Sequence, residues 1–309
     1  MIKFLAFLIL VLVEFSLPDT SPPTEWGNYV MKLDPSEIQR IEKGSTNETY
    51  KLNRDGKTYA LRYGTPFPSR LHIDRKKELM FHQYGSTKGF SPKLHFASPD
   101  KGILVSEYIK GLSLERQDLK DPKLLKLAVH IIQEKNTLKR VKYHRIGDDL
   151  LGAINALLKQ MKQLHSDDME KIRAAFTAAT SLHASMPLKK FQFPAHNDFL
   201  ARNLIYDGKK MWLIDWEYAD WGGEYNDLAG LFIADELNAE QIVSVINQYF
   251  ETFTENERRE LMYTCALYGL YSSIWAYAQS NTGPQHKKKH NVLKARHHLN
   301  QFWEYIVQV

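Results

Sequence analysis

Cysteine is almost missing from this chain: one residue, Cys265, in 309. A lone thiol excludes an internal disulfide framework, and its place in an apolar run reads as a small buried hydrophobe, a usage suited to a reducing compartment. Charge of one sign is missing too. Lys and Arg number 41 against 36 Asp and Glu, a net charge of +5. Basic residues are scattered except for His286-Lys287-Lys288-Lys289-His290, which reads as a solvated loop or helix start, so no nucleic-acid partner is expected. The apolar run from Phe4 to Val13 is too short to span a bilayer and is interrupted by Glu14. With 43% hydrophobic and 12% aromatic residues, disorder is not expected, and the length allows one bilobal unit or two small domains.

The informative stretch lies between His196 and Asp227. It reads His196-Asn197-Asp198-Phe199-Leu200-Ala201-Arg202-Asn203, then Leu204-Ile205-Tyr206, Asp207-Gly208, and Met211-Trp212-Leu213-Ile214-Asp215-Trp216-Glu217-Tyr218. Two short apolar runs joined through Asp-Gly predict a β-hairpin. A hairpin returns the chain on itself, so Asn203 and Asp215 are expected close together with Asp198 on the loop ahead. Two carboxylates and a carboxamide at one point suit phosphoryl transfer from a nucleotide. One carboxylate, Asp198, orients and deprotonates an attacking hydroxyl, while Asn203 and Asp215 hold Mg²⁺, a hard cation that needs only one or two protein oxygens. The spacing matches a catalytic loop of His-x-Asp, four residues, then Asn.

Upstream, Asp55-Gly56 predicts a second hairpin, and Thr58 to Gly64 a strand. Alternation along it places Tyr59 and Leu61 on one side, Ala60 and Arg62 on the other. A cation on a half-buried face needs an anion, and nucleotide phosphate is the obvious one for Arg62. Gly44-Ser45-Thr46-Asn47 opens a turn whose N–H groups and hydroxyls suit phosphate. Glu78, in a helical pattern after His72, is placed to pair with Arg62. Between Asp121 and His183 the pattern is helical, with Gly147 and Gly152 breaking it in the middle. The C-terminal third is helical again, with Tyr263, Leu267, Leu270, Tyr271, Ile274, Trp275 and Ala278 spaced for one face.

His196-Asn197-Asp198 to Asn203, Ile214-Asp215-Trp216-Glu217-Tyr218-Ala219 and Asp227-Leu228-Ala229 together resemble the choline/ethanolamine kinases, within the aminoglycoside-phosphotransferase group of the protein-kinase-like superfamily. Leu61-Arg62-Tyr63-Gly64 and Pro92-Lys93-Leu94 resemble that family as well, so the likeness runs from about Leu33 to Gln279. It implies an α+β, two-lobed protein-kinase-like fold: a small N-lobe on an antiparallel sheet and a larger, mainly helical C-lobe. It implies ATP and Mg²⁺, with Gly44, Ser45, Thr46, Asn47, Arg62 and Glu78 on the nucleotide, and backbone near Glu107 and Ile109 meeting the adenine edge at a hinge. It puts Asp198, Glu217, Tyr271, Trp275 and Gln279 around the acceptor, the two rings forming a wall for a quaternary ammonium. Two departures are visible. Lys43 stands where the family has a second glycine, and Ala234 where it has an acid, with Asp235 and Glu236 just beyond.

The expected organisation is a leader or linker over residues 1–30, a nucleotide-binding N-lobe over 31–110 and a catalytic, substrate-binding C-lobe over 111–309. The first stretch is signal-like, yet ATP and Mg²⁺ chemistry points to the cytoplasm. A true start at Met31, or an apolar tail that packs or touches a membrane peripherally, fits better. The expected activity is O-phosphorylation of a small amino alcohol, choline first. Ethanolamine, thiamine or an aminoglycoside as acceptor, and a pseudokinase without turnover, are the alternatives.

Overall fold

The structure, a computed structural model, describes residues 24–30, 32–43, 47–64, 73–138, 150–160, 166–186, 193–282 and 285–309. The chain divides into two compact units at Lys110/Gly111.

In the first unit a capping box starts the fold. Asp34 accepts the Ser36 N–H and Glu37 reaches back to the Asp34 N–H at 2.9 Å, which caps the start of a one-turn 3₁₀ segment that gives way to extended backbone at Ile38. Strands β1 (Ile38–Lys43), β2 (Glu48–Arg54), β3 (Lys57–Tyr63), β4 (Leu94–Ser98) and β5 (Ile103–Glu107) form one antiparallel sheet in the order β1-β2-β3-β5-β4. Asp55 and Gly56 close β2 onto β3 with φ of 52° and 70°, the two left-handed residues that a type I′ turn requires.

The alternation read from β3 decides what covers each face. Tyr59 and Leu61 join Leu52, Phe96 and Val105 in a core that also takes Val30, with Trp26 and Tyr29 packed against it. Those last three belong to helix α1 (Thr24–Val30), inside the stretch read as leader and linker. Trp26 meets Tyr59 edge-on at 5.0 Å, and the Arg54 guanidinium lies 4.5 Å from Trp26 and 4.4 Å from Tyr29. On the other face, helix α2 (Arg75–Lys88) starts at Asp74, which accepts the Lys76 and Lys77 N–H groups, and ends at Gly89 in the left-handed region.

The second unit is mainly helical: α3 (Pro122–Lys135), α4 (Leu150–Gln160), α5 (Ser166–His183), α6 (Asn226–Ala234), α7 (Ala239–Tyr249), α8 (Glu255–Thr282) and α9 (Lys288–Ile306). Gly152 lies inside α4 rather than breaking a helix, and Gly147 is outside the described residues. Helix α8 is also not amphipathic as its spacing suggested, because every residue from Glu260 to Leu270 is buried. It runs through the middle of a core built with Ile154, Ile172, Ala179, Leu299 and Phe302, and a helix apolar all round belongs in such a place. Gly269 lets α9 approach: a Cβ there would sit 3.1 Å from the His298 carbonyl. Short strands β6 (Leu112–Ser113), β8 (Leu204–Tyr206) and β9 (Met211–Leu213) form a three-stranded sheet, and β7 (Phe193–Ala195) pairs with β10 (Asp220–Gly222). These two small sheets flank and hold the segment from His196 to Asp220.

Candidate active site

The predicted hairpin forms, with Leu204 opposite Leu213 and Tyr206 opposite Met211. Its reversal spans four residues rather than two. Asp207 caps the turn, its carboxylate accepting the Lys209 and Lys210 N–H groups, and only Gly208 takes a positive φ. Just beyond the paired residues, the Ile214 N–H donates to the Asn203 carbonyl at 3.0 Å. Asp215 therefore follows directly on the residue bonded to Asn203. Its backbone is left-handed (φ 65°, ψ 62°), a conformation uncommon outside glycine, and one that marks functional sites.

Asp198 and Asn203 touch. Asn203 Nδ2 donates to the Asp198 carboxylate and to its backbone carbonyl, both at 2.8 Å. Arg202 Nη2 donates to both carboxylate oxygens, at 2.8 and 3.0 Å. The loop is fixed from behind by Asp227, fully buried in the first turn of α6, which accepts the His196 N–H at 2.9 Å and the Asn197 N–H at 3.0 Å. Asp227 is thus an anchor and not the N-cap, a place that falls to Tyr225. His196 is buried, and its Nε2 donates to the Ile214 carbonyl. Burial pushes its pKa down, so it stays neutral and joins loop to hairpin.

In the first unit the Arg62–Glu78 pair forms, and Arg75 adds a second guanidinium on Glu78 at 2.8 Å. Burial works to raise the Glu78 pKa, but the two arginines outweigh it and hold it below the usual range. Two cations on one buried carboxylate leave that pocket positive. Asn47 is buried just ahead of β2, while Gly44, Ser45 and Thr46 lie outside the described residues. Glu107 ends β5, with its N–H given to the Lys93 carbonyl. Among the described residues the Ile109 backbone makes no hydrogen bond.

Helix α8 brings Tyr271 toward Asp198: burial and the charge of Asp198 push the Tyr271 pKa up to about 12. Tyr268, one turn earlier and buried, is raised by burial and the same charge. Trp275 meets Tyr218 edge-on at 6.4 Å. Gln279 is half-buried farther along α8, and Glu217 is buried on the turn after Asp215. Trp216 and Tyr225 are core: Trp216 packs on His196 at 4.8 Å and Tyr225 on Phe250 at 5.5 Å.

The comparisons with known proteins bear on this arrangement. A model of the phosphotransferase enzyme family matches residues 37–261, more than half of the chain. The chain belongs to that family. Ethanolamine kinase 2 of Mus musculus is 26% identical over 190 residues, which cover 54% of this chain and 46% of that protein. The phosphotransferase therefore spans about half the length of the mammalian kinases it matches. A choline/ethanolamine kinase family protein from Mesorhizobium loti superposes with a TM-score of 0.71 at 20% identity, covering 92% of this chain and 98% of that one. A gentamicin-bound aminoglycoside phosphotransferase gives 0.62 at 16%, covering 90% and 96%. These two likenesses show the fold, a protein-kinase-like mixture of helix and antiparallel sheet.

Three residues of the phosphotransferase escaped the sequence reading. Arg202 is one. Lys135, at the end of α3, is fully buried with Nζ 2.9 Å from Asp227 and also bonded to the Pro194 carbonyl. Nothing in the regular apolar stripe of α3 signals it except a lysine falling on the inner face. Asp235 is the third: buried, it accepts the Ala201 N–H at 2.9 Å, and burial raises its pKa to about 6. A one-residue slip from Ala234 therefore lands on a second brace for the loop. Glu236, at φ 49°, is ion-paired with Arg116, and His297 Nε2 lies 3.2 Å from its other carboxylate oxygen.

Among the described residues no helix is long and apolar enough to cross a membrane.

Proposed function

We propose that this phosphotransferase moves the γ-phosphoryl group of ATP to the hydroxyl of a small amino alcohol, with choline the leading acceptor. The observation that carries the reading is the Asp198 carboxylate held by Asn203, whose own carbonyl is tied to the residue before Asp215. The acceptor O–H donates to Asp198, which takes the proton as the oxygen bonds to phosphorus and the bond to the bridging oxygen of ADP breaks. Such catalysis is largely positioning and charge neutralisation.

Mg²⁺ suits the residues present. Asn203 spends its Nδ2 on Asp198, leaving Oδ1, and Asp215 adds a carboxylate: hard oxygen donors of the type this ion prefers. Among the described residues no cluster of three or more His, Cys, Asp or Glu could hold a metal alone; one or two protein oxygens suffice where nucleotide phosphates supply others. Bound there, the ion would neutralise phosphate charge. Arg62, with Glu78 and Arg75 fixing its guanidinium, is the proposed phosphate clamp, and Asn47 with Gly44, Ser45 and Thr46 are proposed as further phosphate contacts.

Methylated ammonium is favoured over poly-ammonium by the side chains around Asp198. Asp198, Asp235 and Glu236 are each already bonded to a cation or an N–H, which leaves aromatic faces on Tyr271, Trp275 and Tyr218 for the amine, about 0.5–2 kcal/mol each. The full-length chain should consume ATP only when choline, ethanolamine, thiamine or an aminoglycoside is added, and choline should give the highest kcat/KM. Amine-independent ATP loss, or none with any amine, refutes the reading; an aminoglycoside preference replaces the acceptor.

A further inference from the structure

Three hydrogen bonds converge on the Asp198 carboxylate: Arg202 Nη2 to Oδ1 at 2.8 Å and to Oδ2 at 3.0 Å, and Asn203 Nδ2 to Oδ2 at 2.8 Å. A carboxylate offers about four lone-pair positions, so the vacant one is on Oδ1. The Arg202 side chain is 64% exposed and that of Asp198 20%. An ion pair so exposed adds little to stability, and the loop is already anchored through Asp227 and Asp235. Stability thus gives no account of why a guanidinium spans this carboxylate. The remaining Arg202 N–H groups bond nothing among the described residues and lie beside the oxygen that would take the acceptor's proton. Lys294, on α9, belongs to the same surroundings: burial lowers its pKa, the charge of Arg202 lowers it further, and Asp198 opposes.

We propose that Arg202 is a positioning residue for phosphoryl transfer, one that leaves only Oδ1 of Asp198 free to receive the acceptor hydroxyl. The inference rests on the kinase reading above. In the step it serves, the hydroxyl proton passes to Oδ1 and the hydroxyl oxygen bonds to the γ-phosphorus. The electron pair of the broken P–O bond leaves with ADP. Arg202 contributes orientation before the step and, through the single Nη2 that bridges both carboxylate oxygens, a fixed positive charge next to the oxygen whose bonding changes.

The test is a double-mutant cycle on the full-length protein, following amine-dependent ATP consumption with kcat and both KM values separated. Arg202→Gln should lower kcat by about tenfold or more with KM for ATP unchanged, and Arg202→Lys should fall between it and wild type, because the charge is kept while the shorter side chain places its nitrogen differently. In the Asp198→Asn background, Arg202→Gln should change kcat by less than about twofold, since its route to the reaction is already cut. An unchanged kcat in Arg202→Gln, or an equal fold-loss in both backgrounds, overturns the assignment while leaving the kinase reading intact. Wild-type protein inert with every amine overturns both.

Discussion

Removing the Lys135 ammonium while keeping its bulk, as in Lys135→Met, isolates the buried pair behind the loop that starts at His196. Both side chains are almost wholly enclosed, at 2% and 1% exposure. Breaking such a pair by deleting one partner costs about 3–5 kcal/mol, because a charge is left uncompensated in a medium of low polarity. Asp227 keeps two backbone N–H donors, from His196 and Asn197, so the lower end, about 3 kcal/mol, is expected. For a cooperative unit of the size of Gly111–Val309, that corresponds to a fall in Tm of roughly 6–12 °C. Calorimetry or circular dichroism melts read it directly. Adding Asp227→Asn to Lys135→Met should cost less than the sum of the single changes, the mark of a coupled pair. A Lys135→Met protein melting within about one degree of wild type would refute the reasoning, since no buried charge of this kind is removed so cheaply.

Three further outcomes follow. Asp198→Asn should lower kcat by roughly 10²–10⁴-fold with KM for ATP nearly unchanged, in the same amine-dependent assay; equal loss of both would deny it the proton. Asp235 has a folded pKa of about 6, above the ordinary carboxylate value of about 3.9, so the folded state binds the extra proton. Its contribution to stability is present below about pH 4 and is lost as the pH rises through 6. The stability of Asp235→Asn relative to wild type should therefore grow between pH 4 and 7, by up to about 2–3 kcal/mol; urea titrations giving a gap independent of pH would contradict it. Trp26→Ala should destabilise the first unit by about 2–3 kcal/mol through lost packing on Tyr59 and Arg54. A chain begun at Met31 should lose more, and equal melting temperatures would count against α1 as part of the core.

The hairpin was legible because its signal is local: Asp-Gly between two apolar runs fixes a reversal, and a reversal fixes which polar ends meet. Arg62 was legible through period-two alternation on β3. Lys135 and Asp235 act over distances in sequence that no local pattern encodes, and the apolar stripe of α3 hides a lysine in plain view. Helix α1 was misread for a related reason. Its aromatic residues follow an apolar, proline-rich stretch that dominates any window, whereas their partners, Tyr59 and Arg54, come from strands farther on. The spacing of α8 predicted one apolar face, and its stretch from Glu260 to Leu270 turned out to be buried all round because α4, α5 and α9 pack against the helix.

The left-handed backbone at Asp215 (φ 65°, ψ 62°) governs which replacements there can be interpreted. Asparagine tolerates that conformation at nearly the same size, so it reports on the missing carboxylate alone, whereas glycine adopts it freely but removes the whole side chain and loosens the backbone. Alanine, or glutamate with its longer arm, adds a conformational penalty of about 1–2 kcal/mol at the same position. A silent alanine variant would then mix two losses, and only the asparagine variant separates ligand chemistry from the shape of the chain.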